Sequence, residues 1–308
     1  MPVVDGAIRK FYFDCPEINI YDFWMGINID ELKGWIGRSE TLSDWVAPTP
    51  LRALAATLDR EDPWAEPGDA IPPCWHWLYF LPLSGQSEIG PDGHPRRGGF
   101  LPPVPLPRRM WAGSRLEWRK PLRVGQTLTR TSRIDDVSVK EGRTGPLVFV
   151  RVRHEIGHVA DQSLVEEQDI VYRDMPNPGE AASALSRAPV THDWAREIRP
   201  DPVLLFRYSA LTFNGHRIHY DRPYASEKEG YPGLVVHGPL IATLLLDLLH
   251  RSMPDAQVAR FAFRAMKPTF DLEAFRVCGA RGADDKSVHL WAEHLDGALS
   301  MDATATLV

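Results

Sequence analysis

Residues 236–251 read Val-His-Gly-Pro-Leu-Ile-Ala-Thr-Leu-Leu-Leu-Asp-Leu-Leu-His-Arg, and the way this stretch folds decides the architecture of the chain. Proline is favoured in the first turn of a helix, where its missing N–H would have no partner anyway. Beyond Pro239, residues Leu240, Ile241, Leu244, Leu245, Leu248 and Leu249 recur at three- and four-residue spacing, which predicts a helix from Pro239 to Arg251. Thr243, Asp247 and His250 fall on the opposite side, so the expected helix has one apolar face. The apolar run from Gly233 to Leu249 contains His237 and Asp247 and is too short and too polar for a membrane span. Four alternating or β-branched runs follow it, at Val258–Met266, Ala274–Ala280, Ser287–Glu293 and Ser300–Leu307.

Outward from this unit, the first half repeats the order. A short strand-like segment from Trp35 to Thr41 leads to Pro50 and a helical pattern at Leu51, Leu54, Ala55 and Leu58. Strands are then expected at Leu116–Trp118, Thr127–Ile134, Leu147–Ile156 and Ser163–Tyr172, separated by glycine-containing turns. A chain of 308 residues can hold two domains of about 150. The repeated order predicts a duplicated α+β unit, in which each helix is wrapped by a curled antiparallel sheet, the arrangement called a hotdog. Placing two such units side by side would bury one edge of each sheet, giving a double hotdog. The expected division is an N-terminal hotdog over 1–174, a polar linker over 175–190 and a C-terminal hotdog over 191–308. Leu204–Phe213 reads as a short apolar element and Asn214–Asp221 as a polar loop.

Proline is over-represented, with 27 in the chain, and eleven of these lie between Pro63 and Pro107. Trp75, Trp77, Tyr79 and Phe80 anchor that stretch, which is expected to be a rigid insertion packed on the core, with Pro91–Gly99 as an exposed loop. A net charge of −6 gives no general electrostatic reason to bind nucleic acid or an anionic membrane. Cys15, Cys74 and Cys278 are far apart and lack CxxC spacing, which points to a reducing compartment and against a cysteine zinc site. The start Met-Pro-Val-Val-Asp carries no basic stretch followed by an apolar run, so a cytoplasmic protein is expected.

His154-Glu-Ile-Gly-His158 matches the HExxH pattern of zinc peptidases, whose chemistry needs both histidines on one helical face. The preceding Val148–Arg153 alternates like a strand and Gly157 interrupts the motif, so a strand ending in a turn is expected instead. No GxSxG, GxxxxGK[ST] or GxGxxG pattern is present. The chemistry-bearing stretch is Tyr208-Ser-Ala-Leu-Thr-Phe-Asn-Gly-His-Arg-Ile-His-Tyr-Asp221, followed by Val235-Val-His-Gly-Pro239. It gathers Asn214, His216, His219 and His237 beside a helix N-terminus, where unsatisfied backbone N–H groups favour developing negative charge. A metal site built on His216, His219 and His237 finds no carboxylate at ligand spacing, and no metal is expected.

These residues resemble the hydratase motif of MaoC-like enoyl-CoA hydratases and dehydratases. In that family a loop of the form Asp-x-Asn-Pro-x-His supplies two catalytic groups, and an Ala-His-Gly-Met-Leu stretch opens the central helix. His219 falls at the family histidine and Val236-His-Gly-Pro-Leu240 at the helix opening, whereas Asn214 replaces the aspartate and His216 the asparagine. The run is similar to a subgroup that includes 3-hydroxyacyl thioester dehydratases and mesaconyl-C4-CoA and itaconyl-CoA hydratases. The resemblance implies reversible hydration of an enoyl-CoA without a cofactor, an acyl-CoA as the partner, and an N-terminal hotdog without catalytic residues. It leaves the oligomeric state undetermined. On this reading His219 is the base, the Asn214 amide orients water or substrate, and the Gly238 N–H receives the thioester oxygen. His216, Asp221 and His237 support them, and Arg217 and Arg207 are the arginines nearest in sequence for a second carboxylate. Arg96-Arg97 and Arg108-Arg109 read as surface charge that could instead meet coenzyme A phosphates. A hotdog thioesterase and an inactive acyl-CoA binding module are the rival readings.

Overall fold

The computed structural model describes residues 27–61, 65–142, 145–158, 161–175, 186–284 and 286–308. Most of the expected linker, Cys15 and parts of two expected turns therefore lie outside the described residues. The elements in chain order are α1 (Ile29–Lys33), β1 (Ser39–Trp45), α2 (Pro48–Thr57), β2 (Arg108–Trp118), β3 (Thr127–Gly142), β4 (Gly145–His158) and β5 (Asp161–Arg173). They continue with β6 (Trp194–Ile198), α3 (Pro202–Leu211), α4 (Gly238–Ser252), β7 (Val258–Ala265), β8 (Phe275–Arg281), β9 (Ser287–His294) and β10 (Leu299–Leu307).

All ten strands join one antiparallel sheet in the order β1-β3-β4-β5-β2-β7-β10-β9-β8-β6. The seam lies between β2 and β7, where Gly113 pairs with Arg264 and Glu117 with Arg260. Two five-stranded sheets thus bury one edge in each other, which removes two exposed templates for aggregation. The fold is α+β, a double hotdog.

Helix α4 packs against β6, β8, β9 and β10. Every residue from Leu240 to Leu249 is buried, including Thr243 and Asp247, so the one-sided helix expected from the periodicity is wrapped all round. Helix α2 packs on α3, and its Leu51 and Leu54 enter the same apolar cluster as Leu240, Leu244 and Leu248 of α4. One core therefore spans both halves. Asp247 ties them further: it accepts from Arg196 at 2.7 Å and Arg251 at 2.8 Å, and Arg60 lies 3.7 Å away. Arg251 also donates to the Leu58 and Asp59 carbonyls that follow α2.

Several boundaries differ from the sequence reading. The first strand is Ser39–Trp45 rather than Trp35–Thr41, because an exposed edge strand carries little apolar alternation to mark its register. Leu204–Phe213 is chiefly the helix α3, with Pro202 in its first turn and the Asp201 side chain capping the Leu204 N–H at 2.8 Å. Strand β2 begins at Arg108, eight residues earlier than expected, so it starts where the proline-rich segment ends. His154 lies in strand β4, where the zinc-peptidase geometry cannot form.

Candidate active site

The loop that carries Asn214, His216 and His219 follows α3. Phe213 sits at φ +50° and Asn214 makes an Asx turn, its Oδ1 accepting the His216 N–H at 3.0 Å. A short 3₁₀ turn over Arg217–His219 then directs His219 inward. The Val235 N–H donates to the Ile218 carbonyl, which holds the strand leading into α4 against this turn.

The geometry fixes the tautomer of His219. Its Nδ1 lies 2.7 Å from the Val235 carbonyl, which can only accept, so Nδ1 carries the hydrogen and Nε2 is the basic nitrogen. The ring stacks on His237 with centroids 3.7 Å apart and 19° between planes. Behind it, His237 Nε2 meets Ser209 Oγ at 2.8 Å. Burial, opposed by the Val235 hydrogen bond, depresses His219 to about 4, and burial together with His219 and His216 holds His237 well below its ordinary value. Both rings are neutral at physiological pH.

His219, Asn214, His216 and Gly238 all line one cavity of about 1790 Å³ that reaches into both halves. Gly238 is the first residue of α4, and its N–H is among those that a helix leaves without an internal acceptor. A Cβ placed on Gly238 would meet nothing within 4 Å, so glycine leaves this helix end bare toward the cavity. The arrangement offers a neutral imidazole base, a side-chain amide and a helix-terminal N–H on one wall.

The other sequence candidates lie elsewhere. Arg217 donates to Asp221 at 2.9 and 2.7 Å and to the Pro91 carbonyl at 3.0 Å, and its guanidinium lies 4.2 Å from the Tyr224 ring centre. It does not line the cavity, and Arg207 is exposed on α3 outside it. Neither is placed to hold a substrate carboxylate, because α3 and the 3₁₀ turn face those side chains away. Asp221 supports Arg217 and the Tyr224 N–H rather than His219, whose orientation comes from a backbone carbonyl. His237 is 1% exposed and stands behind His219 instead of lining the cavity.

Sequence reasoning missed a contribution from the first half. The Pro91–Gly99 segment is docked on the loop of Asn214–His219: the Arg217 N–H donates to the Asp92 carbonyl at 2.9 Å, and a Cβ on Gly93 would sit 1.8 Å from the Gly215 oxygen. At φ +88°, Gly93 also has a backbone that side chains disfavour. The docking brings the His94 ring to 4.0 Å from His216, with Asp92 Oδ2 at 3.0 Å from His94 Nδ1. Asp92, His94 and His216 offer ligand-type atoms all within 4.8 Å of one another. One Asp92 oxygen is already engaged with His94, so the group reads as a hydrogen-bonded wall of the site. The Asp-Gly-His tripeptide was the available signal, but nothing in one sequence tells which loop it would touch.

A second polar group lines the N-terminal part of the cavity. Buried Glu166 accepts from Trp77 at 3.1 Å, Ser114 at 3.2 Å and Gln168 at 3.0 Å, and meets His76 Nε2 at 3.0 Å. These hydrogen bonds outweigh its burial and hold the carboxyl at about 2, so it is an anion with its lone pairs in use. His154, the first histidine of the HExxH pattern, meets Ser132 Oγ at 2.9 Å and is depressed by burial to about 4.

Residues 74–271 match the family model described as hydroxyacyl-thioester dehydratase type 2. The chain belongs to this family. It is 47% identical over 275 residues to the mesaconyl-C(4)-CoA hydratase of Chloroflexus aurantiacus, covering 89% of this chain and 96% of that one. It is 28% identical over 267 residues to the mitochondrial hydroxyacyl-thioester dehydratase type 2 of Schizosaccharomyces pombe, covering 77% of this chain and 88% of that one. HtdX of Mycobacterium tuberculosis superposes with a TM-score of 0.60 at 18% identity, covering 87% of this chain and all of that one. A second M. tuberculosis protein, described as having a double hotdog fold, superposes at 0.54 with 14% identity, covering 89% and 96% of the two chains. At these identities the solved structures establish the family fold alone.

Proposed function

We propose that the protein adds water reversibly across the 2,3 double bond of an enoyl-CoA thioester, and that its substrate is a branched dicarboxylic enoyl-CoA such as mesaconyl-C4-CoA, giving citramalyl-CoA; the isomeric itaconyl-CoA would give the same product with the proton added at its methylene carbon instead of C2. The observation that carries the reaction type is the pinned tautomer of His219, which leaves Nε2 as the base in the cavity beside the Gly238 N–H. The 47% identical relative supports the substrate class.

In the forward direction, Nε2 of His219 takes a proton from water as the oxygen bonds to C3. The electron pair of the double bond moves toward the thioester, whose oxygen gains negative charge. The Gly238 N–H and the end of the α4 dipole stabilise that oxygen, an electrostatic contribution that is commonly the largest in such reactions. His219 then returns the proton to C2, and the reverse sequence is dehydration. Asn214 is uncharged; its Oδ1 is committed to the His216 N–H, which leaves the amide N–H₂ to orient water or substrate. No metal or organic cofactor enters these steps.

Dehydration of a 3-hydroxyacyl thioester, the reaction in the family's name, uses the same residues with a different acyl group and is the second reading. Thioester hydrolysis is disfavoured: the helix start at Val235–Gly238 carries no carboxylate, and the buried Glu166 has its oxygens filled by donors. Incubation with mesaconyl-C4- and crotonyl-CoA, followed by absorbance, and with itaconyl-CoA, followed by product mass, tests the proposal. Loss of enoyl absorbance without free thiol is expected, and His219→Ala should lower the rate by about 10³. Release of thiol, or a His219→Ala variant with normal turnover, would overturn it.

A further inference from the structure

A dicarboxylic acyl group of the mesaconyl-C4 type carries its free carboxylate on C3, the carbon that water attacks. That charge has to be met close to His219, and the two arginines nearest in sequence to the catalytic loop face away from the cavity. Of the cations on the cavity wall, Arg108 is paired with Glu229 at 3.1 Å, and Arg97 donates to the carbonyls of Val104, Leu106 and Pro107. Arg130 lies in the field of Glu40, Asp44 and Glu166. Arg96, Arg173 and Lys267 line the cavity but not the narrow cleft that holds Asp92 and His216.

Arg109 is set apart by its place: of the two arginines in the narrow cleft beside His216, it is the one that Glu229 does not hold. It stands at the start of β2, directly opposite Tyr172 of β5, toward whose hydroxyl it donates, and no carboxylate pairs with it among the described residues. It lines the main cavity and shares a narrow cleft with Asp92, His216 and Ile218, which places its wall against the catalytic loop. After burial, its charge is the strongest influence lowering His94, whose ring lies 4.0 Å from His216. A guanidinium with no carboxylate partner among the described residues thus stands next to the histidines on the N-terminal side of the site.

We infer that Arg109, supplied by the N-terminal half, binds the free carboxylate of the acyl group and makes a dicarboxylic acyl-CoA the preferred substrate class; this rests on the hydratase reading above. A guanidinium grips a carboxylate through two parallel hydrogen bonds, which fixes the position of C3 as well as its charge. Pairing also offsets the repulsion that a carboxylate on C3 exerts on the incoming hydroxyl oxygen, a repulsion that grows as bound substrate displaces solvent. The first half then sets specificity while the second half performs the proton transfers.

The test compares kcat/KM for mesaconyl-C4-CoA and crotonyl-CoA in the wild-type protein, Arg109→Gln and Arg109→Lys. The wild type should favour the dicarboxylic substrate, and Arg109→Gln should lower that preference by about 100-fold. Arg109→Lys, which keeps the charge without the paired geometry, should fall between them and carries the comparison if Arg109→Gln melts below assay temperature. A preference unmoved by both substitutions would overturn the inference, even where both rates fall together. A wild type that hydrates crotonyl-CoA but not mesaconyl-C4-CoA would overturn it while leaving hydration intact. Absence of hydration with every thioester would overturn both.

Discussion

At the scale of single residues, the site depends on keeping imidazoles neutral. His219 titrates at about 4 rather than near 6.5 because burial penalises its cation more than the Val235 carbonyl favours it. A base acts only when deprotonated, so kcat/KM should stay level from pH 8 to about pH 5. It should then fall about tenfold per pH unit below the His219 value. An inflection near 6.5 in the pH profile would show that the base is a solvated histidine instead. The family aspartate is replaced by Asn214, whose short side chain here closes an Asx turn, so the proposed mechanism rests its proton transfers on His219.

At the scale of elements, two contacts hold the site in place. The first is the meeting of the 90–95 loop with residues 214–217, where Gly93 and Gly215 pass too closely for side chains. Gly93→Ala should push these loops apart and lower kcat/KM by tenfold or more, since displacements of an ångström at a reacting centre are costly. Unchanged kinetics in that variant would mean the loop is not needed for catalysis. The second is Asp247 of α4, fully buried yet bonded to Arg196 and Arg251 with Arg60 nearby. Asp247→Asn removes the buried charge shared by the part-exposed Arg196 and Arg251 and the buried Arg60, and should destabilise the protein by about 3 kcal/mol in urea melts. A loss well under 1 kcal/mol would show that water screens the cluster.

At the scale of the whole molecule, the two halves share a core and a sheet. Leu51 and Leu54 of α2, Leu116 of β2 and Phe261 of β7 belong to one apolar cluster with the α4 leucines, and the β2–β7 seam adds continuous hydrogen bonds. Unfolding in urea should therefore be a single transition seen alike by circular dichroism and tryptophan fluorescence. Two separated transitions would mean that the halves are independent. Stability should also fall on mild acidification. His154 and His219, both depressed to about 4, take up fewer protons folded than unfolded between that value and 6.5. Their contribution is complete above pH 6.5 and is lost as pH falls toward 4, about 2 kcal/mol each by pH 5. Glu166, held at about 2, keeps its own contribution at pH 5, because it loses stability only as pH drops below 4.5. Urea midpoints at pH 7.5 and 5.0 measure the difference, and equal midpoints would contradict it.

The sequence alone determined what local periodicity and local chemistry can carry. The leucine spacing of α4, the alternation of the central strands and the order of elements were enough for a double hotdog. The His219 and Gly238 motif named the chemistry, because that motif lies within a short stretch of chain. Tertiary structure decided everything that joins residues far apart in the chain. It turned Arg217 and Arg207 away from the cavity and gave Asp221 to Arg217. It buried Asp247 against arginines from three segments, and it brought Asp92, His94 and Arg109 to the catalytic loop. The physical reason is that helix and strand patterns record only which face of an element is apolar. Which loops meet across the cavity is set by the packing of the whole sheet, and sequence distance carries no measure of it.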